Sequence, residues 1–356
     1  MKKIVTIIGA RPQFVKAAVV SRAILQGKDF TEVIIHTGQH HDFTMSDIFF
    51  EEMEIPKPKY NLEISGLRHG AMTGRMLEKI EEILLLEKPN WVLVYGDTNS
   101  TLAGALAATK LHIPVSHVEA GLRSFNMQMP EEINRILTDR VSSLLFCPTH
   151  TAVKNLKSEG IEKGVVRTGD VMADALFYYQ NLAPQRAKIF KTPPVEKFAL
   201  ATIHRAENTD DIERLKSIIF GLEKLNLELP VFLPLHPRTR VKLKELGIIP
   251  KLQTLEPLGY YDMLQLLLNC SLVLTDSGGL QKEAYLCKKP CVTFRDETEW
   301  VELVKSGVNK LVGTRTDSIT NAAFEFIERG PFFTEGLYGN GHASVQIIQA
   351  MLDYQI

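Results

Sequence analysis

The chain has 356 residues, 45% of them hydrophobic, with 41 Lys and Arg against 42 Asp and Glu, enough for two domains of ordinary size with a core each. The near-neutral balance gives no case for a nucleic-acid partner, which needs a clear basic excess, and no apolar run reaches the roughly 18 residues of a membrane span. Cys147, Cys270, Cys287 and Cys291 form no CxxC pair and no disulfide framework, so packed, reduced thiols and no metal site are expected.

The opening "MKKIVTIIGARPQ" has the basic end and short apolar run of a secretory leader. Arg11 and Lys16 interrupt it before any small-residue cleavage pattern, so it reads as a first strand of a cytoplasmic protein. At Gly9 that strand breaks into a helix with Arg11 at its start and Lys16 one turn on. Cations at a helix N-terminus are mildly unfavourable unless an anion is also present, so the stretch implies an absent anion.

"EVIIHT" reads as the next strand, with "TGQHHDF" (residues 37–43) as its polar exit. "WVLVYG" then delivers Asp97 just before a helix. Asp is a good N-cap, yet Thr98, Asn99 and Ser100 could serve as well, which leaves a spare carboxylate. "IPVSHVE" ends on Glu119, with Arg123 close behind. Pro130, Glu131, Glu132, Asn134 and Arg135 then start a helix. Helix entry accounts for Glu131 and Glu132; no such reason covers Glu119. "LLFCPT" and "VVRTG" complete this series. The helix "VMADALFYYQ" and the connector "KTPPVEKF" follow, and we place the domain boundary near residue 170.

In the second half "FALATIH" closes on His204 and Arg205, and "VFLPLH" on His236, with Arg238 and Arg240 beyond it. Two histidines with arginines at successive strand ends form an anion-facing rim. In "LVLTDSGGLQKEA", residues 272–284, a strand ends at Thr275 and a helix opens at Leu280. Ser277, Gly278 and Gly279 then present backbone N–H groups that a phosphate can approach closely. Glu283, about one turn on, can accept both ribose hydroxyls, so the segment reads as a nucleotide diphosphate cradle. "CVTF", the polar exit "RDETEW" and "KLVG" complete the strands. Continuous apolar runs separated by helical patterns give an α/β architecture with parallel sheets, as two Rossmann-like domains facing a cleft. No stretch carries GxGxxG with an acidic residue about 20 positions on, so no nicotinamide cofactor is expected.

"GARPQFVK", "TGQH", "GDTNST", "HVEAGLR", "MPEEINR", "DSGGLQKEA" and "RDETE" occur in order. Together they resemble the non-hydrolysing UDP-N-acetylglucosamine 2-epimerase family over nearly the whole chain. The resemblance implies a glycosyltransferase-B-like fold of residues 1–170 and 171–340, with a last helix at about 341–356 packing back onto the first domain. It implies acid/base roles for Asp97, Glu119 and Glu131, and a place beside the diphosphate for His204. Arg11 and Lys16 match the family's basic pair, and Arg135 its Asn-Arg pair. Ser277, Gly278, Gly279 and Glu283 match its UDP-binding turn and ribose carboxylate. Three positions depart from the family pattern: His41, Ala206 and Trp300 stand where arginine is usual. The implied substrate is UDP-N-acetylglucosamine or a modified relative, without cofactor, and a homodimer is the expected assembly.

The C2 hydrogen of a 2-acetamido sugar has no neighbouring carbonyl to acidify it. Breaking the C1–O bond supplies oxocarbenium character at C1 instead, so UDP departs, a 2-acetamidoglucal remains, and UDP re-adds after protonation from the other face. A retaining glycosyltransferase, a hydrolysing 2-epimerase and a non-catalytic sugar-nucleotide sensor are the competing readings. The first needs an acceptor, and the second releases free sugar and UDP.

Overall fold

A computed structural model describes residues 1–39, 50–192 and 195–354, apart from the side chain of Arg11. Within it the chain divides into two compact units, Met1–Phe177 with Gly336–Ile356, and Tyr178–Glu335.

The first unit holds β1 (Lys2–Ile8), β2 (Phe30–His36), β3 (Tyr60–Asn61), β4 (Trp91–Tyr95), β5 (Val115–Val118), β6 (Leu144–Cys147) and β7 (Val165–Arg167). They form one parallel sheet in the order β3-β2-β1-β4-β5-β6-β7. All five residues of β4 and all four of β5 and β6 are buried. For β4 and β6 this follows from sequence, since unbroken apolar and aromatic runs suit strands covered on both faces; β5 buries Ser116 and His117 as well. Val5, Ile7, Val92, Val94 and Val115 meet Met76, Ile80, Leu84 and the alanines of helix Asn99–Lys110 in one core. The helix Ala343–Asp353 belongs to this unit. Asp174 caps it, accepting from the N–H groups of Ala343 at 3.0 Å and Ser344 at 2.7 Å.

The second unit holds β8 (Ala199–Thr202), β9 (Val231–Pro234), β10 (Gln253–Leu255), β11 (Leu272–Thr275), β12 (Cys291–Thr293) and β13 (Asn309–Leu311). These too are parallel, in the order β10-β9-β8-β11-β12-β13. Both sheets are doubly wound, as the α/β reading expects. Chain order reverses between β1 and β4 and again between β8 and β11, and open sheets of this kind take ligands beyond the carboxyl ends of the strands at such reversals. The short strands β3 and β10 escape the sequence reading. Both lie at a sheet edge and are mostly exposed, so neither needs an apolar run. Among the described residues no helix is long and apolar enough to cross a membrane.

Candidate active site

In the first unit the strand ends around the β1/β4 reversal are tied together by Gln13. Its Oε1 accepts from the N–H groups of Gly9 at 2.8 Å and Ala10 at 3.0 Å. Its Nε2 donates to Tyr95 O at 2.9 Å, Thr98 Oγ1 at 3.1 Å and Thr101 Oγ1 at 3.0 Å. The N–H groups leading into the first helix are therefore engaged internally, which leaves less for an anion there than the sequence implies. The Arg11 side chain and residues 40–49, with His41, lie outside the described residues.

β4 leads into Gly96, whose φ of +63° turns the chain. Thr98, not Asp97, caps the next helix, accepting from the Thr101 N–H at 3.2 Å. The spare Asp97 carboxylate, 32% exposed, is ion-paired with Arg135. Glu119 follows β5 with a φ of +73°, a conformation that costs a non-glycine residue about 1–3 kcal/mol. It is held there because the N–H groups of Glu119 and Ala120 both donate to Phe146 O at 3.1 Å. Its side chain is 9% exposed and paired with the Lys16 ammonium. Gly96 packs against this pair: a Cβ there would lie 3.3 Å from Glu119 Oε2 and 3.5 Å from Lys16 Nζ. The turns carrying Asp97 and Glu119 are thus in contact, each carboxylate on its own cation.

Glu131 and Glu132 separate sharply. Glu132 is buried and accepts from Ser124 N at 2.9 Å, Ser124 Oγ at 3.0 Å, Phe125 N at 2.9 Å and Arg135 Nη1 at 2.6 Å. It builds the loop before its helix and orients the arginine that holds Asp97. Glu131 is exposed on the same turn. Arg123 is also internal: it is buried and bonded to Asp139 at 2.7 Å and to Glu159 at 2.6 and 2.8 Å.

In the second unit the β8/β11 reversal is organised by Asp276, which sequence reading treats only as part of a turn. Its buried carboxylate accepts from the N–H groups of His204 at 3.0 Å and Arg205 at 3.0 Å, and from Asn208 Nδ2 at 3.2 Å. His204 Nδ1 lies 3.1 Å from the same carboxylate. Burial pushes the Asp276 carboxyl up, but these hydrogen bonds and the adjacent His204 ring outweigh it and hold it below the usual range. The imidazole is thereby oriented with Nε2 as the ring atom left for a ligand, on a side chain 38% exposed. The His236 ring lies 5.7 Å from the His204 ring, and its Nδ1 caps the helix Pro237–Glu245 by accepting from Arg238 N at 3.2 Å.

Two expectations change here. The helix after β11 opens at Gly278, not Leu280, because Ser277 is its N-cap and accepts from Leu280 N. The Ser277 N–H is itself taken by Thr275 Oγ1 at 2.9 Å. Gly278 and Gly279, first in the helix, have no intrahelical partner for their N–H groups. Arg238 and Arg240, read as part of a cationic rim, are engaged elsewhere: Arg238 pairs with Asp210, and Arg240 with Glu256 at 2.8 Å.

Glu283 lies half-buried on that helix near Tyr260, whose hydroxyl is pushed up by burial and by the Glu283 charge. Trp300, at a position where arginine is expected, lies with its ring 4.0 Å from the buried Lys282 ammonium. An arginine there would set two like charges together, whereas the indole face attracts the cation. Beside it Glu299 pairs with Arg295 at 2.9 and 3.1 Å. Burial raises the Glu299 carboxyl, but the bonds and charge of Arg295, with Arg205 nearby, bring it down to about 2. Among the described residues no cluster of His, Cys, Asp and Glu could hold a metal ion.

A family model described as UDP-N-acetylglucosamine 2-epimerase matches residues 22–352. The chain is 56% identical over 351 residues to a UDP-2,3-diacetamido-2,3-dideoxy-D-glucuronate 2-epimerase of Pseudomonas aeruginosa, covering 98% of each. It is also similar to the solved structure of a Methanocaldococcus jannaschii UDP-GlcNAc 2-epimerase in complex with UDP-GlcNAc and UDP. There the TM-score is 0.91 and the identity 42%, over 99% of both chains. A Neisseria meningitidis UDP-GlcNAc 2-epimerase bound to UDP-GlcNAc gives a TM-score of 0.89 at 32% identity, over 99% of this chain and 100% of that one.

Proposed function

Because the chain belongs to the UDP-N-acetylglucosamine 2-epimerase family and is an isomerase, we propose that it inverts C2 of a UDP-linked 2-acetamido sugar without hydrolysing it. The observation that carries this reading is the placement of Asp97 and Glu119 beyond the ends of neighbouring strands β4 and β5, in touching turns. Two carboxylates so placed suit one proton taken from C2 and one returned. Glu131, exposed and uninvolved in the loop that Glu132 builds, is the third acid/base candidate.

The second unit holds the leaving group. The Gly278 and Gly279 N–H groups and His204 Nε2 supply donors for the diphosphate, and Glu283 accepts from the ribose. As the C1–O bond breaks, its electron pair leaves with UDP, the C2 proton passes to a carboxylate, and a 2-acetamidoglucal results. A proton delivered to the opposite face of C2 and re-addition of UDP at C1 complete the inversion. Arg11, Lys16 and Arg135 of the first unit and His236 of the second are the further binding candidates. In this scheme Lys16 and Arg135 act by holding Glu119 and Asp97.

We take UDP-2,3-diacetamido-2,3-dideoxy-D-glucuronate as the first substrate to test, since the relative named for it is 56% identical, against 51% for a relative named UDP-N-acetylglucosamine 2-epimerase homolog and 43% for one named UDP-N-acetylglucosamine 2-epimerase. A cytoplasmic setting is supported by four free cysteines, of which Cys270 and Cys291 are pushed up to about 12 by burial. The deciding experiment is proton NMR in D2O with a panel of UDP-sugars, with and without a C6 carboxylate. The expected result is deuterium at C2 and appearance of the C2 epimer with UDP still attached. Free sugar and UDP accumulating in its place, or no exchange at C2 with any member, refutes the proposal.

A further inference from the structure

His117 is fully buried on β5, and no step above uses it. Its Nδ1 lies 2.7 Å from Asp139 Oδ1, and its Nε2 lies 2.7 Å from the Gly96 carbonyl oxygen. A main-chain carbonyl can only accept, so Nε2 carries a hydrogen. Asp139 Oδ2 already accepts from the Gly121 N–H at 3.1 Å and from Arg123 Nη1 at 2.7 Å. A carboxylate whose Oδ2 takes two N–H donors, one of them a guanidinium, is arranged as an acceptor, and its Oδ1 fits an Nδ1–H donor at 2.7 Å. Both ring nitrogens then donate.

We propose that His117, held as an imidazolium by Asp139, is a positioning residue that locks the Gly96–Asp97 peptide. The role in turnover rests on the C2 chemistry proposed above. Gly96 is the pivot, with its left-handed φ. Its N–H donates to Val118 O at 3.0 Å, and its carbonyl receives the His117 hydrogen. That carbonyl belongs to the peptide whose other end is Asp97, so the ring fixes the plane from which the Asp97 side chain departs. Asn134 Nδ2 holds the Asp97 carbonyl at 2.9 Å from the other side. Val118 leads directly into Glu119, so the same few bonds set both carboxylates. A charged donor makes a bond about twice as strong as a neutral one, which is the physical reason to keep this ring protonated. The groups around it are Asp139, then Arg123 and Glu159 behind it, with the Cys147 thiol pushed up by burial and by the Asp139 charge.

The test uses the full chain with 15N-labelled histidine. The signals of His117, assigned by their loss in His117→Gln, are expected to show hydrogen on both ring nitrogens. In Asp139→Asn one nitrogen becomes bare, since an amide oxygen no longer calls for the second charge. A displacement of about 1 Å costs roughly 10²-fold and a wrong ring tautomer up to about 10⁴-fold, so kcat for C2 exchange should fall about 10²- to 10³-fold in both variants. KM for the UDP-sugar should stay within about threefold, because the lost interaction matters only in the transition state.

A wild-type ring with one bare nitrogen overturns the imidazolium assignment. A kcat close to wild type in either folded variant overturns the positioning role. Should His117→Gln fail to fold, Asp139→Asn, which keeps the side-chain shape, carries the kinetic comparison. A wild-type chain that exchanges no C2 hydrogen with any UDP-sugar sinks the proposed function instead, and the nitrogen spectrum still decides the protonation.

Discussion

Glu131 and Glu132 are neighbours of the same residue type on one helix turn, and the structure separates them: Glu132 is buried in the loop it builds, and Glu131 is exposed. In Glu132→Gln the new side chain keeps one acceptor oxygen and sets an amide NH2 against one of the donors now satisfied, namely Ser124 N and Oγ, Phe125 N and Arg135 Nη1. Orphaning one buried donor costs about 1–3 kcal/mol, and Arg135 also loses a buried counter-charge, so the total should reach about 3–5 kcal/mol. For a unit of this size each kcal/mol moves the thermal midpoint by about 2–4 °C, so the transition of the first unit should fall by about 10 °C. Glu131→Gln, at an exposed position, should change stability by less than about 0.5 kcal/mol while cutting turnover by about 10²- to 10⁴-fold. Circular dichroism melting and C2 deuterium incorporation, run on the same two preparations, separate the effects. If Glu132→Gln melts with the wild type, or Glu131→Gln melts early, the division of labour drawn from these hydrogen bonds is wrong.

Three further outcomes are expected. Asp97→Asn should lower turnover by about 10²- to 10⁴-fold with UDP affinity, measured by titration calorimetry, unchanged; undiminished turnover would remove Asp97 from the chemistry. Gly278→Ala should fold normally, since a Cβ there meets nothing closer than Trp300 Nε1 at 3.6 Å, yet it should weaken UDP binding by about tenfold or more, roughly 1.4 kcal/mol. Equal UDP affinity would mean that the phosphate does not approach this turn. Glu299, with its carboxyl held at about 2 against an ordinary 4.5, stabilises the fold above the unfolded value and loses that contribution as pH falls from about 4.5 towards 2. The full effect is about 3 kcal/mol, with about 2 kcal/mol gone by pH 3. Urea unfolding at pH 6 and pH 3 should therefore show a smaller acid loss in Glu299→Gln than in the wild type; parallel losses would assign the acid sensitivity to other groups.

Sequence alone determined the elements and the residue types at their ends. Buried parallel strands are near-continuously apolar, so runs such as "WVLVYG" and "LVLTD" are readable without partners, and the polar residues that end them fall where such sheets take ligands. The edge strands β3 and β10 left no such trace because Tyr60–Asn61 and Gln253–Leu255 are short, have no buried residue and hold no apolar run. What the tertiary structure decided is which polar side chains are already spoken for. Nothing local distinguishes Glu131 from Glu132, and Arg238 and Arg240 look like a binding rim until Asp210 and Glu256 are found against them. Gln13 reaches Tyr95, His117 reaches Asp139, and His204 reaches Asp276 across 82, 22 and 72 residues. Each partner is fixed by how strands and turns stack in space, because a buried donor or acceptor takes whatever complementary group the fold brings within hydrogen-bond distance, and sequence spacing carries no record of that.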